Sequence, residues 1–395
     1  MNTHRTSLVT VVVALTVLAA AAGSTRAASG VRTSVQRWTI TDLGTLHPAW
    51  RDSSAADING RGQIVGGSAD ASGHGHAVIW QNGKGIDLGT LGGRDSGASA
   101  INESGQVIGT SLTARPARTH AFIWQEGEMT DLGTLGGKSS RPRALNERGQ
   151  VVGESYTASG DVHAFFWDAG KMTDLGTLGG PDSYAADIND RGQVVGTSST
   201  ARGKQHAFLW QDGKMSDLGT LGSRYPSSGA LAINDRGQVV GTSYVARVTQ
   251  IGQVGHAFLW TSGKMTDLGT LGATYTSSDA VAISGLGQIA GTTRADDGPV
   301  RPVIWRNKKI VALDRGGPFG EVVSISDRGQ VIGSRVPVHG SVVHAFVWQS
   351  RVLTDLGTLG GAESDAAAIN ERNEIVGVSQ TRTGARHAVL WTRRP

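Results

Sequence analysis

Between Tyr184 and Gly219 four short apolar segments alternate with turn residues, and this pattern recurs along almost the whole chain. The first segment is 185–189, and Asp190, Arg191 and Gly192 turn the chain into the second, 193–198. A polar loop leads to the third, 206–210; Gln211 to Gly213 turns again, and the fourth runs over 214–219. Segments of about five residues joined by Asp-Gly and Asn-Gly type turns predict β-hairpins, and no window carries the 3.6-residue period of an amphipathic helix. The pleat puts His206, Phe208 and Trp210 on one face and Ala207 and Leu209 on the other, so both faces are apolar. A two-layer sandwich leaves one face of each sheet polar, whereas propeller blades pack against a neighbour on each side.

Tryptophans at 38, 80, 124, 167, 210, 260, 305, 348 and 391 mark eight intervals of 42 to 50 residues. A period of that size reads as a ring or stack of supersecondary units. The array begins with a fourth strand, 39–44, and stops at a third strand, 387–391. Pairing the two ends completes one blade and removes the open sheet edges that invite aggregation. The expectation is an all-β, closed β-propeller of eight four-stranded blades over residues 38–391, with a linker at 28–37 and a tail at 392–395.

Two segments recur in seven of the eight repeats. His-Ala-Phe or a close variant begins at His76, His120, His163, His206, His256, His344 and His387, and Asp-Leu-Gly begins at Asp42, Asp87, Asp131, Asp174, Asp217, Asp267 and Asp355. One repeat loses both, with Arg301 for the histidine, Ala312 for the aspartate and Ser326 for the asparagine of the first strand. Pairing Trp210 with Met215 sets His206 opposite Gly219 and one diagonal step from Asp217, within side-chain reach. The pairs expected are His76 with Asp87, His120 with Asp131, His163 with Asp174, His206 with Asp217, His256 with Asp267, His344 with Asp355, and His387 with Asp42, all structural.

His-Ala-Phe, then Trp, then Asp-Leu-Gly-Thr-Leu-Gly-Gly resembles the repeat that names the HAF family of extracellular repeat proteins, over residues 38–391. That resemblance implies a secreted or surface-exposed bacterial repeat protein and carries no activity or ligand with it. The repeat around Arg301 departs most from the pattern.

Composition fits an exported propeller. Glycine is 57 of 395 residues, about twice the usual share of roughly 7%, as expected of a chain that turns every few residues. Residues 1–27 read as a signal peptide, with Arg5 ahead of an apolar run at 8–22 and small residues around Ala27. Its removal leaves 35 basic against 33 acidic side chains, a balance of +2. No basic stripe suits nucleic acid, no further membrane span is expected, and localisation is extracellular or periplasmic. Cysteine is absent, so core burial and ring closure carry stability without disulfides; a monomer is expected.

Equivalent histidines on packed sheets lie on the order of 10 Å apart, too far to share a zinc ion, and turn runs such as 188–192 lack the alternating acids of a calcium loop. No metal or cofactor is expected. Quinone-dependent dehydrogenases share only the blade count. No unique catalytic set stands out from the repeat, so the primary expectation is a non-catalytic binding or scaffolding module for an envelope polysaccharide or a surface protein. The alternative is a hydrolase or lyase acting on an exported polymer. The candidate ligand-binding residues are Trp50, Tyr156, Tyr184, Tyr225, Tyr244, Tyr275 and Arg247, assigned to loops on one rim with the long insertion 245–255, because exposed aromatic rings and arginines serve contact surfaces.

Overall fold

The computed structural model describes residues 38–48, 51–222, 226–247, 253–295, 298, 300–306, 309–314, 319–336 and 342–393. The proposed signal peptide and the whole of the linker lie outside these, as do Trp50 and Tyr225. Among the described residues there are 32 strands and no helix, hence none long and apolar enough to cross a membrane.

The strands form eight four-stranded antiparallel blades. Blades 1 to 7 span 53–87, 92–131, 136–174, 179–219, 228–267, 277–312 and 319–355, and each runs first to fourth strand in sequence order. Blade 8 takes three strands from 360–393 and its fourth, Trp38–Asp42, from the start of the array. There Ile40 pairs with Trp391 and Asp42 with Val389, so the two ends of the array close one ring. First strands of successive blades pack side by side around the centre, and fourth strands lie outermost.

The apolar residues on both blade faces sort into eight cores, each built from two neighbouring blades. Val152 and Ala164 of blade 3, for example, join Ala185, Ile188, Val194 and Phe208 of blade 4. One core joins Val376 and Ala388 of blade 8 to Ile58 and Trp80 of blade 1. Eight seams bury eight cores, which is why the second and third strands of the blades are apolar on both faces.

The repeated motif makes the bonds between blades. In the seam from blade 3 to 4, the Ala164 amide donates to Ser183 Oγ at 2.9 Å, and that hydroxyl donates to the Gly176 carbonyl at 2.6 Å. The same serine staple links Ala77 to Ser96, Ala121 to Ser140, Ala207 to Ser228, Ala257 to Ser278, Ala345 to Ser364 and Ala388 to Ser53. Alanine at this place keeps the approach close, and the glycine after Asp-Leu takes positive φ, 71° at Gly176, a turn that a Cβ would strain. Between blades 6 and 7 the staple is missing: Pro302 has no amide hydrogen to give. Instead Val300 bridges Phe319 in parallel, and the two blades run on as one sheet.

Each first strand carries a β-bulge, seen as a register shift between Ala55 and Asp57, Ala185 and Asp187, and their equivalents in all eight blades. The carbonyl two residues before the bulge lies over the second strand, and there every repeat has glycine: Gly66, Gly109, Gly153, Gly196, Gly241, Gly291, Gly333 and Gly377. A Cβ at Gly196 would overlap the Tyr184 carbonyl and meet the Phe208 ring. Phe208, fully buried, pairs across from Gly196 and covers it.

Candidate functional site

Seven histidines meet the aspartates named from the sequence, with shortest Nδ1 to carboxylate distances of 2.7–2.9 Å: His76 with Asp87, His120 with Asp131, His163 with Asp174, His206 with Asp217, His256 with Asp267, His344 with Asp355 and His387 with Asp42. The register differs from the simple hairpin expected. Ala207, not His206, lies opposite Gly219, and Phe208 faces Asp217. A bulge between Ala207 and Phe208 shifts the ladder while the diagonal His206 to Asp217 step survives. Each carboxylate also accepts the amide two residues on, as Asp217 does from Gly219 at 2.7 Å, so it fixes both the turn and the ring.

These carboxylates are 36–44% exposed and sit on the outer strands, away from the centre. Water competes there, and one such contact contributes about 1 kcal/mol at most. His206→Ala should therefore lower the melting temperature by a few degrees at most; a loss several times larger would show that the pair anchors the seam. Where the motif fails, Arg301 reaches Asp314 at 3.5 Å, an acid two residues beyond Ala312. The ionic contact is thus rebuilt from a different position, which the lost motif had hidden.

The tyrosines sit differently from expectation. Tyr156 belongs to the strand Val151–Thr157, Tyr184 to Gly179–Ile188 and Tyr244 to Val239–Arg247; only Tyr275 of the described tyrosines lies outside a strand. The insertion is not a loose loop at its ends. Tyr244 pairs with Gly255 and Arg247 with Gln253, because extending the hairpin satisfies backbone groups that a loop leaves to water. The Arg247 side chain is outside the described residues.

Tyr156 and Tyr184 are each 39% exposed, while Tyr244 and Tyr275 are half-buried. Tyr156 is on the second strand of blade 3 and Tyr184 on the first strand of blade 4. Burial raises the Tyr184 phenol above its ordinary range, and the charges of Asp182 and Glu154 and the Tyr156 phenol raise it further. Arg143, the bulge residue of blade 3, holds Glu154 through two bonds, Nε to Oε2 at 3.0 Å and Nη2 to Oε1 at 3.1 Å. Two exposed rings from adjacent blades thus stand near an oriented carboxylate and an arginine, an array suited to stacking and to hydroxyl recognition.

Around the centre at the opposite mouth, the turns after the first strands form two further rings of bonds. Asn59 Nδ2 donates to the Asn102 carbonyl of the next blade at 3.0 Å, and Asn102, Asn146, Asn189, Asn234 and Asn370 repeat the step. One residue on, the Glu103 amide meets the Glu147 carboxylate, and the Glu147 amide meets Asp190. Burial, with the charges of Asp190 and Glu103, raises the Glu147 carboxyl. The asparagine was legible only as a turn former; its link between blades left no trace in one repeat read alone.

Asp57 and Asp187 are the acids most affected by their surroundings. Asp57 accepts its neighbour's amide, Ile58, at 2.8 Å and Ile101 of blade 2 at 2.9 Å; Asp187 does the same with Ile188 and with Ile233 of blade 5. Protein atoms crowd both, although each keeps some open surface. Loss of solvent pushes each up to about 6, outweighing the amides that pull it down. Among the described residues no three His, Asp or Glu side chains group closely enough to hold a metal ion.

No family model and no curated protein matches the chain. Solved structures do. A prolyl endopeptidase is similar at 11% identity with a TM-score of 0.52, over 87% of this chain and 55% of its own length. A puromycin-hydrolyzing peptidase of Mycobacterium tuberculosis aligns at 12% identity and TM-score 0.48, over 83% and 57%. The acylaminoacyl peptidase of Pyrococcus horikoshii aligns at 12% and 0.48, over 73% and 50%, so the chain spans about half the length of these proteins. At such identities the likeness is one of fold alone.

Proposed function

We propose that this chain is an exported, non-catalytic binding or scaffolding propeller of the HAF repeat type, with an envelope polysaccharide or a surface protein as its ligand. The observation that carries this reading is the pair of exposed rings Tyr156 and Tyr184, set on neighbouring rigid strands beside the Arg143 and Glu154 pair. Aromatic rings held on strands lose little freedom on binding, and that lowers the free-energy cost of recognition. Secretion rests on Arg5 ahead of the apolar segment at 8–22 and on the small residues around Ala27.

The rival reading, a polymer hydrolase or lyase, draws on the raised carboxyls of Asp57 and Asp187. Each of these, however, gives both oxygens to backbone amides. Each acid orients two blades, and the two stand in different seams, blades 1 and 2 against blades 4 and 5, so they do not form the closely paired carboxylates that such hydrolysis uses. Binding is therefore the better-supported role.

A screen of the full chain against glycans and secreted proteins tests the proposal. Tyr156→Ala with Tyr184→Ala should weaken the captured ligand about tenfold and leave the melting transition within a few degrees of the parent, since exposed rings contribute little to the core. Undiminished binding by the double variant would move the site elsewhere. Turnover of a screened polymer would favour the hydrolase.

A further inference from the structure

A second candidate site lies on the opposite side of the ring, in the seam between blades 2 and 3. A cleft of about 640 Å³ opens there, walled by Ile123 and Glu128 of blade 2 and by Trp167 and Asp168 of blade 3, with Glu126 and Arg148 at its edges. Trp167 is half-buried and Asp168 exposed. The volume falls in the range of ligand pockets, roughly 300 to 1,000 Å³.

The repeat shows what is unusual about this seam. The first residue of each fourth strand pairs with the residue after the blade's tryptophan or its equivalent, and in five blades it is lysine: Gln81 with Lys84, Asp168 with Lys171, Gln211 with Lys214, Thr261 with Lys264 and Arg306 with Lys309. Strand alternation puts this position on the same face as the residue two after it, Thr130 in blade 2, which lines the cleft, so five blades bring an ammonium group to the equivalent seam. In blade 2 the pair is Gln125 with Glu128. A carboxylate stands where the repeat supplies a cation.

Two more acids surround it. Glu126 occupies the hairpin tip at a φ of 51°, and Asp168 accepts Gln150 Nε2 at 3.1 Å. None of Glu126, Glu128 and Asp168 has an ion-pair partner within 4.0 Å among the described residues. Arg148 leans over Gly192 of the next turn instead. The cleft therefore combines an indole wall with unneutralised carboxylates, the arrangement that favours an organic cation over an aromatic face.

We infer that this cleft binds an amino sugar bearing a free ammonium group, as a unit of the glycan proposed above; the inference rests on that reading and gives it a second site. The flat indole matches the C–H face of a pyranose, and the carboxylates match its ammonium. Thr130 and Gln125, which also line the cleft, offer a hydroxyl and an amide to the sugar's edge. A lysine side chain would use the carboxylates and leave the flat wall and the polar edge unmatched.

The test is calorimetric titration of the full chain with a glucosamine tetramer, its fully N-acetylated counterpart and a blocked lysine. Glu128→Lys restores the residue that five blades carry, so it should fold and melt like the parent. The expected result is binding of the free-amine tetramer, weakened about tenfold or more by acetylation, by Glu128→Lys and by raised salt. Equal affinity for acetylated and free tetramers, indifference to Glu128→Lys, tighter binding of lysine, or no binding of the free-amine tetramer would each overturn the inference. Glycan binding that survives Glu128→Lys but fails in the Tyr156 and Tyr184 double variant would overturn the cleft alone and leave the proposed function standing.

Discussion

Gly196→Ala should destabilise the protein by roughly 3 kcal/mol or more, out of proportion to a single methyl group. The added carbon would overlap the Tyr184 carbonyl, a backbone atom held by the first-strand bulge, and would also press on the buried Phe208 ring. Neither neighbour is free to move: the carbonyl belongs to a paired strand, and the ring fills the core between blades 3 and 4. Gly97→Ala is the matched control, because a Cβ there meets nothing within 4 Å. That change should be neutral or slightly stabilising, since alanine restricts the unfolded chain more than glycine does. Denaturant melts of the two variants beside the parent decide the matter. If both shift alike, the second-strand glycines are tolerated for want of a side chain rather than required by the bulge.

The same glycines show how far the sequence could be read. Their recurrence at one place in all eight repeats was visible, yet glycine abundance pointed first to turns with positive φ. That reason holds at Gly176 and Gly219. It does not hold at Gly196, where the requirement is close approach of a neighbouring strand. Blade number and ring closure were legible because they follow from period and from complementary truncation, both properties of the linear chain. The His206 and Asp217 contact was legible for a related reason, since it lies inside one hairpin. Bonds between blades were not legible, because Ser183 and Ala164, or Asn59 and Asn102, meet only once the ring is built. The apolar pattern puts the tyrosines in loops because it ends before the strands do: the first and second strands run on to Gly179 and Thr200 beyond the apolar core segments. Polar residues at a strand end are held by backbone pairing, which has no apolar signature.

Stability should rise, not fall, when the pH is lowered from about 7.5 towards 5, and Asp57 and Asp187 should account for most of the rise. Their folded-state pKa values, pushed up to about 6 from 3.8 by loss of solvent, lie above those of the unfolded chain. Above about pH 6 both states are ionised, and burying the charge costs stability in full. As the pH falls through 6 the folded protein takes up protons first, and the cost is relieved until the unfolded carboxyls titrate near 4. Each full displacement is worth on the order of 3 kcal/mol, of which roughly half is released between pH 7.5 and 5. Below that window acids held the other way, such as Asp70, which the amides of His74 and Ser72 keep below the usual carboxylate range, turn the slope around. The double variant Asp57→Ala, Asp187→Ala isolates the effect, because Ala100, Ala144, Ala232, Ala282 and Ala368 occupy the same place in other blades and show that the fold accepts alanine there. The two sites lie in blades 1 and 4 and share no partner, so their contributions should add. Urea melts at pH 7.5 and 5.0 should show the parent gaining stability on acidification and the variant gaining much less. Parallel gains in both proteins would mean that these carboxyls titrate as ordinary surface acids and that other groups set the slope.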